Sequence, residues 1–155
     1  MTPSPTKSSS DKTKTRRPKK SLGQHFLRCA WVAEAMVRSA EISPGDAVLE
    51  IGPGEGALTR PLARAAGRVI AVEKDELLAQ KLKIALAQEN VNNVEIITAD
   101  ILAFLRDSRF LTLDSPYKVV ANIPYYLTSR LIRLLLEAEP RPATIVLTIQ
   151  KEVAE

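Results

Sequence analysis

Cysteine is almost missing from this 155-residue chain. With Cys29 alone, no internal disulfide can form, and the sequence suits a reducing compartment. The ordinary reading of that thiol is a small buried hydrophobe with no chemistry of its own. No apolar run approaches the roughly 18 residues that a membrane-spanning helix needs. No internal repeat is visible. Histidine occurs once, at His25, and a lone histidine is more often structural than functional. A global excess of positive charge is lacking too, although the net charge is +4. Residues 1–20 hold seven Lys/Arg and one Asp, or +6, so residues 21–155 carry −2.

What is present divides into a tail and one domain. Residues 1–20 are Ser, Thr, Pro and Lys with almost nothing apolar, so they are expected to be disordered. They read either as a solvated extension or as a cationic arm that gains affinity from a phosphate backbone. A transit peptide fits less well, because the apolar periodicity of an amphipathic presequence is absent. Order is expected from Ser21, with a short loop at Gly23-Gln24-His25-Phe26-Leu27 and a helix over 29–40. In that helix Val32, Met36, Val37 and Ala40 recur at helical spacing.

From there strand and helix patterns alternate. Strands are predicted over 47–51, 68–72, 94–98, 117–121 and 144–149. Helices are predicted over 57–66, 75–87 and 128–138, with a helical turn at 101–105. Gly67 is expected to stop the 57–66 helix, and Leu78, Leu82 and Ala85 to form the buried face of 75–87. Residues 150–155 begin a further helix. This alternation predicts an α/β fold: a parallel sheet with helices on both faces and right-handed crossovers.

The chain is organised around Val48-Leu49-Glu50-Ile51-Gly52-Pro53-Gly54-Glu55-Gly56, an apolar strand running into a glycine loop. Such a loop opens a nucleotide site at the carboxyl end of the first strand. Alone it is ambiguous. Gly52-x-Gly54-x-x-Ala57 fits a dinucleotide fingerprint, and Gly52-x-Gly54-x-Gly56 fits an S-adenosylmethionine loop. Three further strands end in hydrogen-bond acceptors: Glu73, Asp100 and Asn122. Glu73 stands about twenty residues past the glycines, where a carboxylate meets ribose hydroxyls. Asp100 is placed for an adenine amino group. Strand-end acids also cap helices, and for Asp75 that is the better reading. Glu50, Glu55, Glu73 and Asp100 would repel a pyrophosphate, but would attract the sulfonium and ammonium of S-adenosylmethionine.

Asn122-Ile123-Pro124-Tyr125 points to the acceptor. An aromatic amine is a poor nucleophile because its lone pair is delocalised into the ring. The Asn122 side-chain oxygen and the Ile123 carbonyl could each accept one of its N–H bonds and localise that lone pair. Pro124 holds Ile123 extended, and Tyr125 offers a face on which a flipped-out base can stack. A strand-ending turn with two packed tyrosines is the plainer alternative.

Six segments together resemble the ribosomal RNA adenine dimethyltransferase family. They are Gly23-Gln24-His25-Phe26-Leu27, Glu50-Ile51-Gly52-Pro53-Gly54, Val72-Glu73-Lys74-Asp75, Ala99-Asp100-Ile101, Asn122-Ile123-Pro124-Tyr125 and Gln150-Lys151-Glu152-Val153-Ala154. The last resembles the small-subunit (KsgA-type) branch more than the macrolide-resistance branch. The resemblance implies a Rossmann-like class I S-adenosylmethionine-dependent methyltransferase. It implies transfer of two methyl groups to N6 of each of two adjacent adenosines near the 3′ end of small-subunit rRNA. It also implies cofactor contacts at His25, Leu27, Gly52, Glu73, Asp100 and Asn122, with Asn122 and Tyr125 as the catalytic pair and no metal. Many family members carry Asn where this chain has His25.

The partner expected is the immature small ribosomal subunit, with no membrane, and the protein is expected to be a cytoplasmic monomer. The family pattern continues beyond residue 155, through the last strands and a small helical domain. The chain is therefore read as C-terminally incomplete, with its last strand an exposed edge. Two other classes stay open: a ribosome-assembly or nucleic-acid-binding factor in which catalysis is dispensable, and an NAD-dependent oxidoreductase.

Overall fold

Every residue of the strand Ala47–Ile51 (β1) is buried, as a strand needs to be when it has neighbours on both edges and helices on both faces. The computed structural model describes residues 30–107, 116–123 and 125–148. The basic tail, His25, Leu27, Cys29 and the helix expected over 150–155 lie outside them. The remaining strands are Arg68–Glu73 (β2), Val94–Thr98 (β3), Tyr117–Asn122 (β4) and Thr144–Thr148 (β5). All pair in parallel in the order β3-β2-β1-β4-β5. The chain steps outward from β1 to β3, then returns to the other side of β1 for β4. That reversal beside β1 is where an open α/β sheet leaves a crevice for ligands.

Helix Ala30–Ser39 (α1) precedes β1, and Thr59–Ala65 (α2), Glu76–Gln88 (α3), Ile101–Phe104 (α4) and Thr128–Glu137 (α5) fill the connections. Alternate strand residues feed two cores, as a period of two requires. Val48, Val69 and Val120 pack with Met36, Val37, Leu58 and Leu62 of the α1 and α2 layer. Leu49, Ile70, Val119 and Tyr117 pack with Phe104, Leu131 and Leu135 of the α4 and α5 layer. Each fully buried Leu in these layers contributes roughly 2 kcal/mol.

Three local readings change. The buried face of α3 is Ala79, Leu82 and Leu86 rather than Leu78, Leu82 and Ala85. Asp75 caps the helix by accepting from the N–H groups of Leu77 (2.9 Å) and Leu78 (3.1 Å), and small Ala79 lets the helix approach the sheet. Second, Gly67 does not end α2 as a left-handed cap, since its φ is not positive. It is required because a Cβ there would lie 2.4 Å from the Pro44 carbonyl oxygen. Third, the strand that ends in Glu73 includes that residue. Among the described residues β5 pairs only with β4, and all five of its residues are partly exposed.

Candidate functional site at the strand tips

The loop after β1 is built by three glycines with positive φ: Gly52 (+69°), Gly54 (+56°) and Gly56 (+84°). Any other residue is strained in that region. At Gly52 a Cβ would meet nothing within 4 Å, so this glycine faces open space and leaves its backbone approachable. Its N–H donates to the Val72 carbonyl at 2.9 Å, carrying the β1–β2 ladder one residue further.

Glu73, at the tip of β2, is only 4% exposed. Its Oε2 accepts from the Gly54 N–H at 3.0 Å and its Oε1 from the Asp75 N–H at 2.9 Å. One carboxylate therefore clamps the glycine loop to the start of α3. Behind the loop, Arg60 donates to the carbonyls of Glu55 (2.9 Å) and Gly56 (3.0 Å) while gripping Glu89.

Beneath the loop lies Glu50, 1% exposed. Neither of its carboxyl oxygens, nor the hydroxyl of buried Thr59, has a hydrogen-bond partner among the described residues. Burial pushes the Glu50 carboxyl up to about 8; the nearby Thr59 hydroxyl pulls it back, and the Glu73 charge adds to the rise. At neutral pH this acid is mostly protonated. Buried polar groups of native proteins are normally satisfied, and the Thr59 hydroxyl stands near enough to Glu50 to lower its carboxyl through hydrogen bonding.

Asp100 follows β3. Its Oδ1 accepts from the Leu102 N–H at 2.9 Å, capping α4, and its Oδ2 pairs with Lys74 Nζ at 2.8 Å. Lys74 holds that carboxyl below the usual carboxylate range. Across the reversal, Asn122 ends β4, and its Oδ1 accepts from the Thr148 hydroxyl at the tip of β5. Ile123 follows, buried. Tyr125 opens a 3-10 turn, Tyr125–Leu127, that leads into α5.

The strand order thus sets Glu73 and Asn122 on the strands flanking β1 and its glycine loop, with Asp100 one strand beyond Glu73. His25, Leu27 and Pro124 are outside the described residues. Three side chains at the site, Thr59, Lys74 and Thr148, carried no assigned role in the sequence, and Glu50 was read only as part of an acidic rim. Glu50 had a signal: it is the only charged letter in a strand that is otherwise apolar. Thr59, Lys74 and Thr148 had none, since only the folded register brings them in. The local charge is also milder than the letters imply, because Lys74 offsets Asp100 and Glu50 is mostly neutral.

Sheet order, reversal and three-glycine turn are those of the class I S-adenosylmethionine-dependent methyltransferases. Among solved structures, a dimethyladenosine transferase from Plasmodium falciparum superposes with a TM-score of 0.72 at 32% identity, over 84% of this chain and 45% of that one. The 23S rRNA methyltransferase ErmE gives 0.70 at 36% identity, over 83% and 49%. Residues 15–155 match the family described as ribosomal RNA adenine dimethylase, and the chain belongs to it. Among curated relatives, ribosomal RNA small subunit methyltransferase A of Dehalococcoides mccartyi is 45% identical over 143 residues. That match takes in 91% of this chain and 47% of the relative. The protein of the same name in Alkaliphilus metalliredigens is 42% identical, over 99% and 53%. The chain spans about half the length of the curated relatives it matches.

Proposed function

We propose that this chain carries the methyl-donor half and the acceptor motif of an rRNA adenine-N6 dimethyltransferase. The enzyme would act on two adjacent adenosines near the 3′ end of small-subunit rRNA while the subunit is immature. The observation that carries the reading is the pair of tips flanking one glycine loop: Glu73 on β2 and Asn122 on β4. Membership of the small-subunit relatives' family supports the choice of RNA. Among the described residues no helix is long and apolar enough to cross a membrane. The proposed ribosomal RNA substrate, rather than that absence, is what supports a cytoplasmic location, and we propose a monomer.

The residues fit S-adenosylmethionine. Gly52 leaves open space before the loop, Glu50 offers unsatisfied oxygens beneath it, and the acidic tips suit a cationic ligand. Gly52, Glu73, Asp100 and Asn122, with His25 and Leu27, would hold it. When bound, it supplies an electrophilic methyl group on a sulfonium. Glu73 can accept from ribose hydroxyls while keeping the Gly54 N–H, since each carboxylate oxygen has two lone pairs. Asp100 can accept from the adenine amino group on the side that Lys74 leaves. The Asn122 oxygen and the Ile123 carbonyl accept the two N–H bonds of the target amine and steer its lone pair, with Tyr125 stacking on the base. Rate then comes from positioning and electrostatics rather than from a nucleophilic side chain.

The test is labelled methyl transfer to immature small subunits by the protein expressed from its full reading frame. Incorporation should drop by about a hundredfold or more in Asn122→Ala, the scale of losing one transition-state hydrogen-bonding group. Undiminished incorporation removes Asn122 from the chemistry. An Asn122→Ala protein that still matures subunits would favour the assembly-factor reading.

A further inference from the structure

We propose that Arg60 is a positioning residue for the methyl donor, acting through the glycine loop; this rests on the function proposed above. The guanidinium divides its donors between two tasks. Its Nε and Nη2 grip the two carboxylate oxygens of Glu89, at 2.8 and 2.6 Å. Its Nη1 donates to the carbonyls of Glu55 (2.9 Å) and Gly56 (3.0 Å). Arg60 lies in the first turn of α2 and Glu89 at the C-cap of α3, so one side chain ties the loop after β1 to both helices. A lysine ammonium is a single point charge, and it lacks the rigid fork that holds a carboxylate edge and a backbone at once.

The glycines are why this grip matters. Glycine loses more backbone freedom on ordering than any other residue, and the loop holds three of them at positive φ. Such a loop keeps one shape only if other groups hold it. Glu73 holds one point, accepting from the Gly54 N–H at 3.0 Å, and Arg60 holds the next two carbonyls. The glycines also face different neighbours. A Cβ at Gly52 would meet nothing within 4 Å, whereas one at Gly56 would lie 2.6 Å from Arg60 Nη1 and 2.4 Å from Leu82 Cδ1. Gly52 leaves its backbone open to a ligand, and Gly56 makes room for the guanidinium. A loop already held in its binding shape spares the donor the entropy of ordering it. Glu89 meanwhile balances the Arg60 charge, so the loop is held without a net cation beside a sulfonium.

The experiment compares Arg60→Met, Arg60→Lys and Glu89→Ala with wild type, in the protein expressed from its full reading frame. Met keeps the aliphatic stem and loses every donor. Glu89→Ala breaks the same tie between α2 and α3 but leaves Nη1 with its two carbonyls. In Arg60→Met the KM for S-adenosylmethionine and the Kd of S-adenosylhomocysteine should each rise about tenfold, the scale of losing one hydrogen bond from a charged donor. Its kcat on immature small subunits at saturating donor should stay within about twofold, as for a loss of uniform binding. Glu89→Ala should raise KM and Kd by about twofold or less, since it removes only a partly exposed ion pair. Hydrogen exchange read by mass spectrometry should show residues 52–57 of ligand-free Arg60→Met exchanging faster than in wild type.

Unchanged KM and Kd in Arg60→Met overturn the proposal. So does a Glu89→Ala protein that loses as much affinity as Arg60→Met, because the tie between helices would then be the cause. A fall in kcat with KM unchanged also overturns it, since Arg60 would not act on donor seating. If Arg60→Met does not fold, Arg60→Lys takes its place in every comparison. Its ammonium can reach the carbonyls or Glu89 but not both, and a rise of about threefold is expected. A wild-type protein that does not bind S-adenosylhomocysteine defeats the proposed function, and this inference with it. Wild type that binds it beside an unaltered Arg60→Met defeats this inference alone.

Discussion

Replacing Glu50 with Gln should stabilise the ligand-free protein at alkaline pH and leave it nearly unchanged in acid. The carboxyl's ordinary value is near 4.5, and burial lifts it to about 8. Between those values the native state holds a proton that the unfolded chain gives up. Native stability therefore falls as pH rises through the window. Each pH unit fully inside it removes about 1.4 kcal/mol, so crossing all of it removes up to about 5 kcal/mol. Gln has the same shape and no charge to desolvate, so the variant lacks that slope. The assay is thermal unfolding followed by circular dichroism at pH 5, 6, 7, 8 and 9. The two melting curves should nearly coincide at pH 5. They should separate by about 10 °C or more at pH 9, given how a domain of this size converts stability into melting temperature. Groups such as Asp46 and Asp100, whose carboxyls are held low by Lys118 and Lys74, act below this window and cancel in the comparison. Parallel profiles from pH 5 to 9 would refute the claim that Glu50 is buried without a partner.

Gly52→Ala should separate binding from stability: the positive φ costs about 1–2 kcal/mol, yet the new Cβ meets no protein atom within 4 Å. Calorimetry should show S-adenosylhomocysteine affinity down by about tenfold, or about 1.4 kcal/mol, because the Cβ takes space at the loop while the strain is the same with and without ligand; unchanged affinity would mean the ligand does not seat on this loop. Deleting residues 1–20 removes seven Lys/Arg. It should weaken binding to small-subunit RNA and flatten the dependence of log K on log salt, and identical slopes would make the tail a passive extension.

The sheet was legible because its strands are short apolar runs closed by Gly, Asp or Asn, and period alone places them. Val94–Thr98 is the clearest case, with the same bounds in pattern and structure. Helix faces were harder. In α3 apolar letters stand at 77, 78, 79, 82, 84, 85, 86 and 87, so several stripes are equally hydrophobic. Only the Asp75 cap and the approach of Ala79 select one. Gly67 shows a second limit, since its requirement comes from the carbonyl of Pro44 across the start of β1 rather than from its own helix. At the site, Glu73, Asp100 and Asn122 were visible as polar strand endings. Their partners were not, because Lys74–Asp100 spans 26 residues and Thr148–Asn122 another 26. Such pairs exist only once the strand order is set.

That order also divides labour along the gene. What touches the glycine loop from one flank comes from residues 68–104, and what flanks it on the other comes from residues 117–148. Under the proposed function, the acceptor motif is separated from the glycine loop, Glu73 and Asp100 by a single crossing of the chain from β3 to β4. A lineage could exchange everything after that crossing and inherit the front half intact, provided the new fourth strand still matched β1 in register. Chimaeras cut between residues 107 and 116 would test this, keeping Gly52, Glu73 and Asp100 in place so long as the incoming fourth strand again ends in Asn.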